Sequence, residues 1–263
     1  IACLVMLSLG GMLFGSVLAS RLEIRLRAQH PSKGGGAVRV EDRRRASAGF
    51  AVRVLLEGAH ERRWLALDGN GEVPWDVAVA RALMPEAGGP WRVLAVGGGA
   101  SALPRSVLRE HPTGTVHVLE RTAAVIDLAR EHFDTELAIG VAERVTVVVG
   151  NLEDLLQGIE GPYDAVLVDA SALAPIGGVT TLSREARARL IESVTESGVI
   201  VWGPTTPEPE MPELVPGWPH VVLERTVEGR DAEVVVMTGR PRIEEFPRSF
   251  EGFSPRDNGP PTT

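Results

Sequence analysis

The chain has 263 residues, 44% of them hydrophobic and 24% charged, with a formal charge of −8. That apolar fraction supports a real core and excludes wholesale disorder or a collagen-like fibre. The acidic balance argues against binding nucleic-acid phosphates, so no nucleic-acid partner is expected, and the single cysteine, Cys3, excludes an internal disulfide and any CxxC metal or redox pair.

In chain order, residues 1–20 carry no charge. As a helix the run would be ~30 Å long, the thickness of a bilayer's hydrocarbon core. Gly11, Gly15 and Ala19 would give it a smooth face for a neighbouring helix. Residues 21–45 hold eight Lys/Arg against three acids, whereas the rest of the chain holds 19 against 32. Such a basic flank marks the cytoplasmic side of a membrane span. The expectation is a transmembrane helix over 1–20 in the inner membrane with a cytoplasmic body. A cleaved signal peptide ending at Val17-Leu18-Ala19 is the competing reading. A chain that begins at Ile1 reads as a processed product or the C-terminal piece of a longer one.

Residues 21–47 read as a basic flexible linker around Ser32-Lys33-Gly34-Gly35-Gly36, with folding starting near Ala48. Alternating apolar residues over 50–56 and 64–67 predict a β-hairpin, and a helix over 75–84 completes an N-terminal unit of residues 48–90. From Trp91 the pattern alternates. Short Val-rich runs at 93–96, 116–119, 145–149, 165–168 and 199–202 predict buried parallel strands, and helical stretches at 102–110, 123–132, 152–157 and 183–193 separate them. The fold class is therefore α/β, a doubly wound, mostly parallel Rossmann-like sheet over 91–240, closed by an antiparallel hairpin at 220–227 and 232–238. Residues 241–263 are Pro-rich and aperiodic, and are expected to be a disordered tail.

Strand 93–96 runs into Gly97, Gly98 and Gly99 and then a helix, where missing side chains let a nucleotide-like ligand lie against the backbone. A tight strand-to-helix turn is the alternative. Glu120, just past the second strand, stands where a carboxylate receives ribose hydroxyls. Gly97-x-Gly99-x-x-Ala102 also fits a dinucleotide fingerprint, so the loop alone does not separate NAD from an S-adenosyl compound. Asn151, after the third strand, could meet an adenine edge. Asp169, after the fourth, is the catalytic candidate, facing the ligand crevice where it could take a proton from an amine nucleophile. A helix or loop cap is its bland alternative. The histidines share no spacing with acids or cysteine, so no metal is assigned.

Residues 46–240 resemble the spermidine synthase (aminopropyltransferase) family, and the apolar N-terminus resembles its membrane-fused bacterial branch. The matching pieces are Leu65-Ala66-Leu67-Asp68-Gly69, Val93 to Gly99, Glu120, Gly150-Asn151 and Tyr163-Asp164-Ala165-Val166-Leu167-Val168-Asp169. The resemblance implies a class I methyltransferase-like fold and transfer of an aminopropyl group from decarboxylated S-adenosylmethionine to an amine. It places Asp68, Asp76 and Ser171 toward the acceptor, and leaves the oligomeric state open, with a homodimer as one option. The chain departs from the pattern at Ala100, where the family has an acid, at Ala172, the second position of its amine clamp, at Asn151, and in the helix beginning at Asp76, where Arg81 replaces a residue of a Tyr-His-Glu set. The alternatives are an S-adenosylmethionine-dependent methyltransferase and a catalytically silent, membrane-anchored binding module. The segment 170–182 is expected to act as a lid, and Gly98→Val to abolish nucleoside binding with the fold intact.

Overall fold

The computed structural model describes residues 22–31, 37–45, 50–66, 73–83, 90–101, 103–111, 113–133, 142–173, 182–205, 218, 220–225, 233–239 and 253–255. The first sheet is an antiparallel meander of β1 (Leu22–Pro31), β2 (Ala37–Arg45), β3 (Phe50–Glu57) and β4 (His60–Ala66) in sequence order. The expected linker is thus corrected, because most of it is strand. Its charges are matched across and along the strands: Arg27 of β1 and Arg53 of β3 meet Asp42 of β2, while Arg39 and Arg43 meet Glu41 two residues away on β2 itself. Val38 and Val40 face away from Arg39, Glu41 and Arg43 and into the core, so a charge-dense segment still satisfies the two-residue period of a strand. Gly58, at φ 62°, turns β3 into β4.

The register of that hairpin slips once. Leu55 pairs with Arg63 and Leu56 with Glu61, leaving Arg62 as the extra residue of a β-bulge. Bulges re-aim side chains, and this one has consequences for the site.

The second sheet runs in the order β12-β10-β11-β9-β8-β5-β6-β7. Its strands are β5 (Arg92–Val96), β6 (Thr115–Glu120), β7 (Val145–Val149), β8 (Tyr163–Asp169), β9 (Val194–Thr205), β10 (His220–Arg225), β11 (Glu233–Gly239) and β12 (Ser254–Pro255). From β7 to β9 the neighbours are parallel, and β11, β10 and β12 are antiparallel, as the expected fold class requires. The helices are α1 (Trp75–Leu83), α2 (Leu103–Glu110), α3 (Ala123–His132), α4 (Leu152–Gln157), α5 (Ala170–Leu173) and α6 (Arg184–Glu192). Strand alternation divides the core: Val93, Ala95, Val116 and Leu167 pack with α1 and α2, whereas Leu94, Val96, Val166 and Val168 pack with α4 and α6. A third cluster joins the sheets, with Val38, Val40 and Leu55 seated on Val125, Leu128, Ala129 and Phe133 of α3 and its end.

Three expectations change. The strand 145–149 is an edge, not buried, and leaves Val148 39% and Val149 44% exposed. Phe253, in the expected tail, is 2% exposed in the core, and Ser254–Pro255 pairs with β10. The apolar run 1–20 lies outside the described residues, among which no helix is long and apolar enough to cross a membrane.

Candidate functional site

Strand order reverses at β5, which has β6 on one side and β8 on the other. A crevice opens at such a switch point, outside the carboxyl ends of the strands. Gly97 to Gly99, Glu120 and Asp169 all end there, so the sequence reading selects residues that the fold brings together.

The glycines serve packing. Gly97 has φ 75°, and a side chain there would overlap Cβ of Ala172. A Cβ on Gly98 would come within 2.6 Å of Cβ of Ala95, and one on Gly99 within 2.6 Å of Cγ of Glu120. Gly98→Val would therefore disturb β5 itself, which corrects the expectation that the fold would be unaffected. A small depression lies beyond Gly98 and Gly99, between Pro104, Val118, Ile126 and Val147, and neither Glu120 nor Asp169 lines it.

Glu120 is fully buried. Its Oε1 accepts from the backbone N–H groups of Arg121 (2.7 Å) and Thr122 (3.2 Å), and its Oε2 from that of Gly99 (3.1 Å). The remaining partner is the residue that sequence reading missed. Arg62, thrown inward by the bulge, donates from Nη2 to Glu120 Oε2 at 2.8 Å and to the Gly97 carbonyl at 2.8 Å. Its Nη1 meets Glu57 Oε2 at 2.5 Å, and its Nε lies 3.7 Å from Asp169 Oδ2. Glu57 also pairs with Arg121 and accepts from the Thr122 hydroxyl. An arginine in the charged stretch His60-Glu61-Arg62-Arg63 looks like a surface residue. The available signal was two adjacent arginines leading directly into the apolar run Trp64-Leu65-Ala66-Leu67.

Three carboxylates, Glu57, Glu120 and Asp169, thus share two guanidiniums, Arg62 and Arg121. Burial works to depress the basicity of Arg62, but Glu120, Asp169 and Glu57 outweigh it and hold the group protonated. Burial likewise works to raise Glu57, yet Arg62 and Arg121 bring it below the usual carboxylate range. Asp169 is the odd acid. Burial pushes it up to about 6, against the pull of Arg62 and of Ser171, with Glu120 adding repulsion. Its Oδ1 accepts from the Ser171 N–H at 2.9 Å and hydroxyl at 2.5 Å, which caps α5.

The other expected site residues have local roles. Asn151 is exposed and caps α4 by accepting from the Glu153 N–H at 2.9 Å. Asp76 is 7% exposed and forms a separate polar group, accepting from the Val77 N–H and the Ser101 hydroxyl beside Arg63. Ser171, half-buried, donates to Asp169. Asp68 and most of the expected lid lie outside the described residues; 170–173 is helix.

A model of the spermine/spermidine synthase domain matches residues 79–213. Spermidine synthase 1 of Pisum sativum is 38% identical over 90 residues, 34% of this chain and 26% of that protein. Putrescine N-methyltransferase 3 of Nicotiana tabacum is 30% identical over 131 residues, 47% of this chain and 34% of that one. The chain therefore spans about a third or less of these relatives' lengths. The crystal structure of spermidine synthase from Thermotoga maritima superposes with a TM-score of 0.56 at 16% identity, over 85% of this chain and 76% of that one, which is a likeness of fold.

Proposed function

Because the chain belongs to the spermine/spermidine synthase domain family, we propose that it is a transferase domain in which an S-adenosyl-type donor meets an amine acceptor at the carboxyl ends of β5, β6 and β8. One observation carries this reading: Glu120 and Asp169, on strands flanking β5, converge on a single positive charge at the switch point. A cationic acceptor and a sulfonium donor need that polarity. The donor's ribose hydroxyls would donate to Glu120, and Asp169 would hold the attacking amine. As the amine nitrogen bonds to the transferred carbon, the carbon–sulfur bond breaks, the sulfur leaves as a neutral thioether, and the amine's proton passes to Asp169. An acid pushed up to about 6 suits that exchange near neutral pH. In the structure Glu120 Oε2 is engaged by Arg62, so donor binding requires the guanidinium to move.

Calorimetric titration with methylthioadenosine, S-adenosylmethionine and its decarboxylated form is the direct test. We expect one nucleoside site per chain, and turnover with putrescine that Asp169→Asn removes while donor affinity is kept. Absence of heat with all three compounds would overturn the reading and leave a structural role.

A second reading is methyl transfer to an amine. It is favoured by Ala100, which leaves no acid after the glycines to hold an aminopropyl ammonium, and by the similarity to a putrescine N-methyltransferase. Product analysis separates the two: methylputrescine from S-adenosylmethionine supports methyl transfer, and spermidine from the decarboxylated donor supports aminopropyl transfer. Our reading keeps residues 1–20 as a membrane anchor with the body cytoplasmic. An active periplasmic reporter fused at the C-terminus would overturn that placement.

A further inference from the structure

We propose that Arg62 is a resident cation: its guanidinium fills the place of the acceptor's ammonium between Asp169 and Glu120, and closes the site to cationic amines until it withdraws. The proposal rests on the reading above for the identity of the acceptor, but not for the existence of the cage.

Three features of the geometry point to it. The first is delivery. Arg62 is the extra residue of a bulge in β4, left out of the ladder pairing, and bulges re-aim the side chains they insert.

The second is an incomplete fit. Arg62 has no exposed side-chain surface, yet its Nε makes no hydrogen bond among the described residues. The 3.7 Å to Asp169 Oδ2 is too long for one. A buried donor with a purely structural role is ordinarily satisfied. Here the carboxylate facing it is anchored to Ser171 instead, at a separation that suits a charge but not this donor.

The third is support that does not depend on Arg62. Glu120 accepts from three backbone N–H groups. Glu57 is held by Arg121 and Thr122, and Asp169 by Ser171. Each acid keeps its position when the guanidinium leaves, so what remains is a preformed acidic pocket of about a guanidinium's size. A protonated amine is its complement.

The experiment is amine-dependent thermal stability in Arg62→Ala, Arg62→Gln, Arg62→Lys and wild type. The probes are putrescine and methylguanidinium, with 1,4-butanediol as the uncharged control at matched ionic strength. The expected result is that Arg62→Ala and Arg62→Gln gain Tm with either cation, by about 3–6 °C at roughly ten times the Kd, and gain nothing with butanediol. Wild type and Arg62→Lys, which keep a charge in place, should not respond. Loss of a merely structural arginine would lower Tm without restoring amine sensitivity. Arg62→Gln, which keeps a donor beside the acids, serves where Arg62→Ala does not fold. Equal responses to cation and diol, or an equal response in wild type, would overturn the proposal. A cation response in the variants together with no nucleoside binding would keep the cage and discard the transferase reading.

Discussion

Asp169 and Glu57 sit within one ionic cluster and titrate in opposite senses. Folding raises the Asp169 carboxyl from its ordinary value near 4 to about 6. The folded state therefore binds its proton more tightly. The associated stability is fully present below about pH 4 and is lost as pH rises through about 6. A two-unit shift corresponds to about 3 kcal/mol. Glu57 is lowered by Arg62 and Arg121 against the cost of burial, so its contribution is present above its unfolded value and is lost on acidification. Asp169→Asn should therefore remove the decline between about pH 4 and 6 while the acid limb due to Glu57 remains. Urea midpoints across pH 3–8 read this directly, and an unchanged slope in the variant would refute the assignment. Gly97 supports a second prediction. Gly97→Ala adds backbone strain at φ 75° and an overlap with Ala172, at about 1–3 kcal/mol each. Ala172→Gly in the same chain should return the overlap part only. A double-mutant cycle in denaturant would show coupling between two sites that share no polar contact.

At the scale of elements, most of the second sheet was legible because its strands obey the simplest rule. Runs such as Val145 to Val149 favour strand by their shortness and β-branched composition, and the intervening periods of 3.6 residues place α3 and α4 at the residues expected. What escaped were elements whose stability comes from pairing rather than from composition. Strands β1 and β2 look like a solvated arm because Arg27, Arg39, Arg43, Glu41 and Asp42 dominate them, and only the structure shows that Arg27 meets Asp42 across the strands while Arg39 and Arg43 flank Glu41 along β2. The bulge that aims Arg62 is likewise a property of two strands together. In the tail a single aromatic decides the outcome, since Phe253 is 2% exposed against the sheet while its neighbours read as coil. Phe253→Ala should cost about 3–5 kcal/mol by cavity formation. Truncation after residue 240 should cost at least as much, because it removes Phe253 together with the pairing of Ser254–Pro255 to β10. A truncated chain with wild-type stability would show that Phe253 does not close the edge.

Across the whole molecule, two kinds of contact join the sheets, and their magnitudes predict which governs cooperativity. The apolar seam places Val38, Val40 and Leu55 on α3, and at about 1.5–3 kcal/mol per fully buried side chain it is enough to keep the first sheet docked. The ionic seam runs from Glu57 on β3 through Arg121 and Thr122 after β6, with Arg62 reaching Glu120 and Asp169. Removing one partner of a buried pair leaves its counter-charge uncompensated, at about 3–5 kcal/mol. Glu57→Ala should therefore weaken docking without abolishing it. Amides of β2 and β3 should exchange about two to three orders of magnitude faster than in wild type, through an opening that spares β5 and β8. In wild type, both sheets should exchange at the limit set by global unfolding. Native-state hydrogen exchange distinguishes the cases: equal loss of protection in both sheets would mean that the cluster stabilises the second sheet alone, whereas selective loss in the first identifies Glu57 as the tie by which the N-terminal sheet holds Arg62 in the crevice.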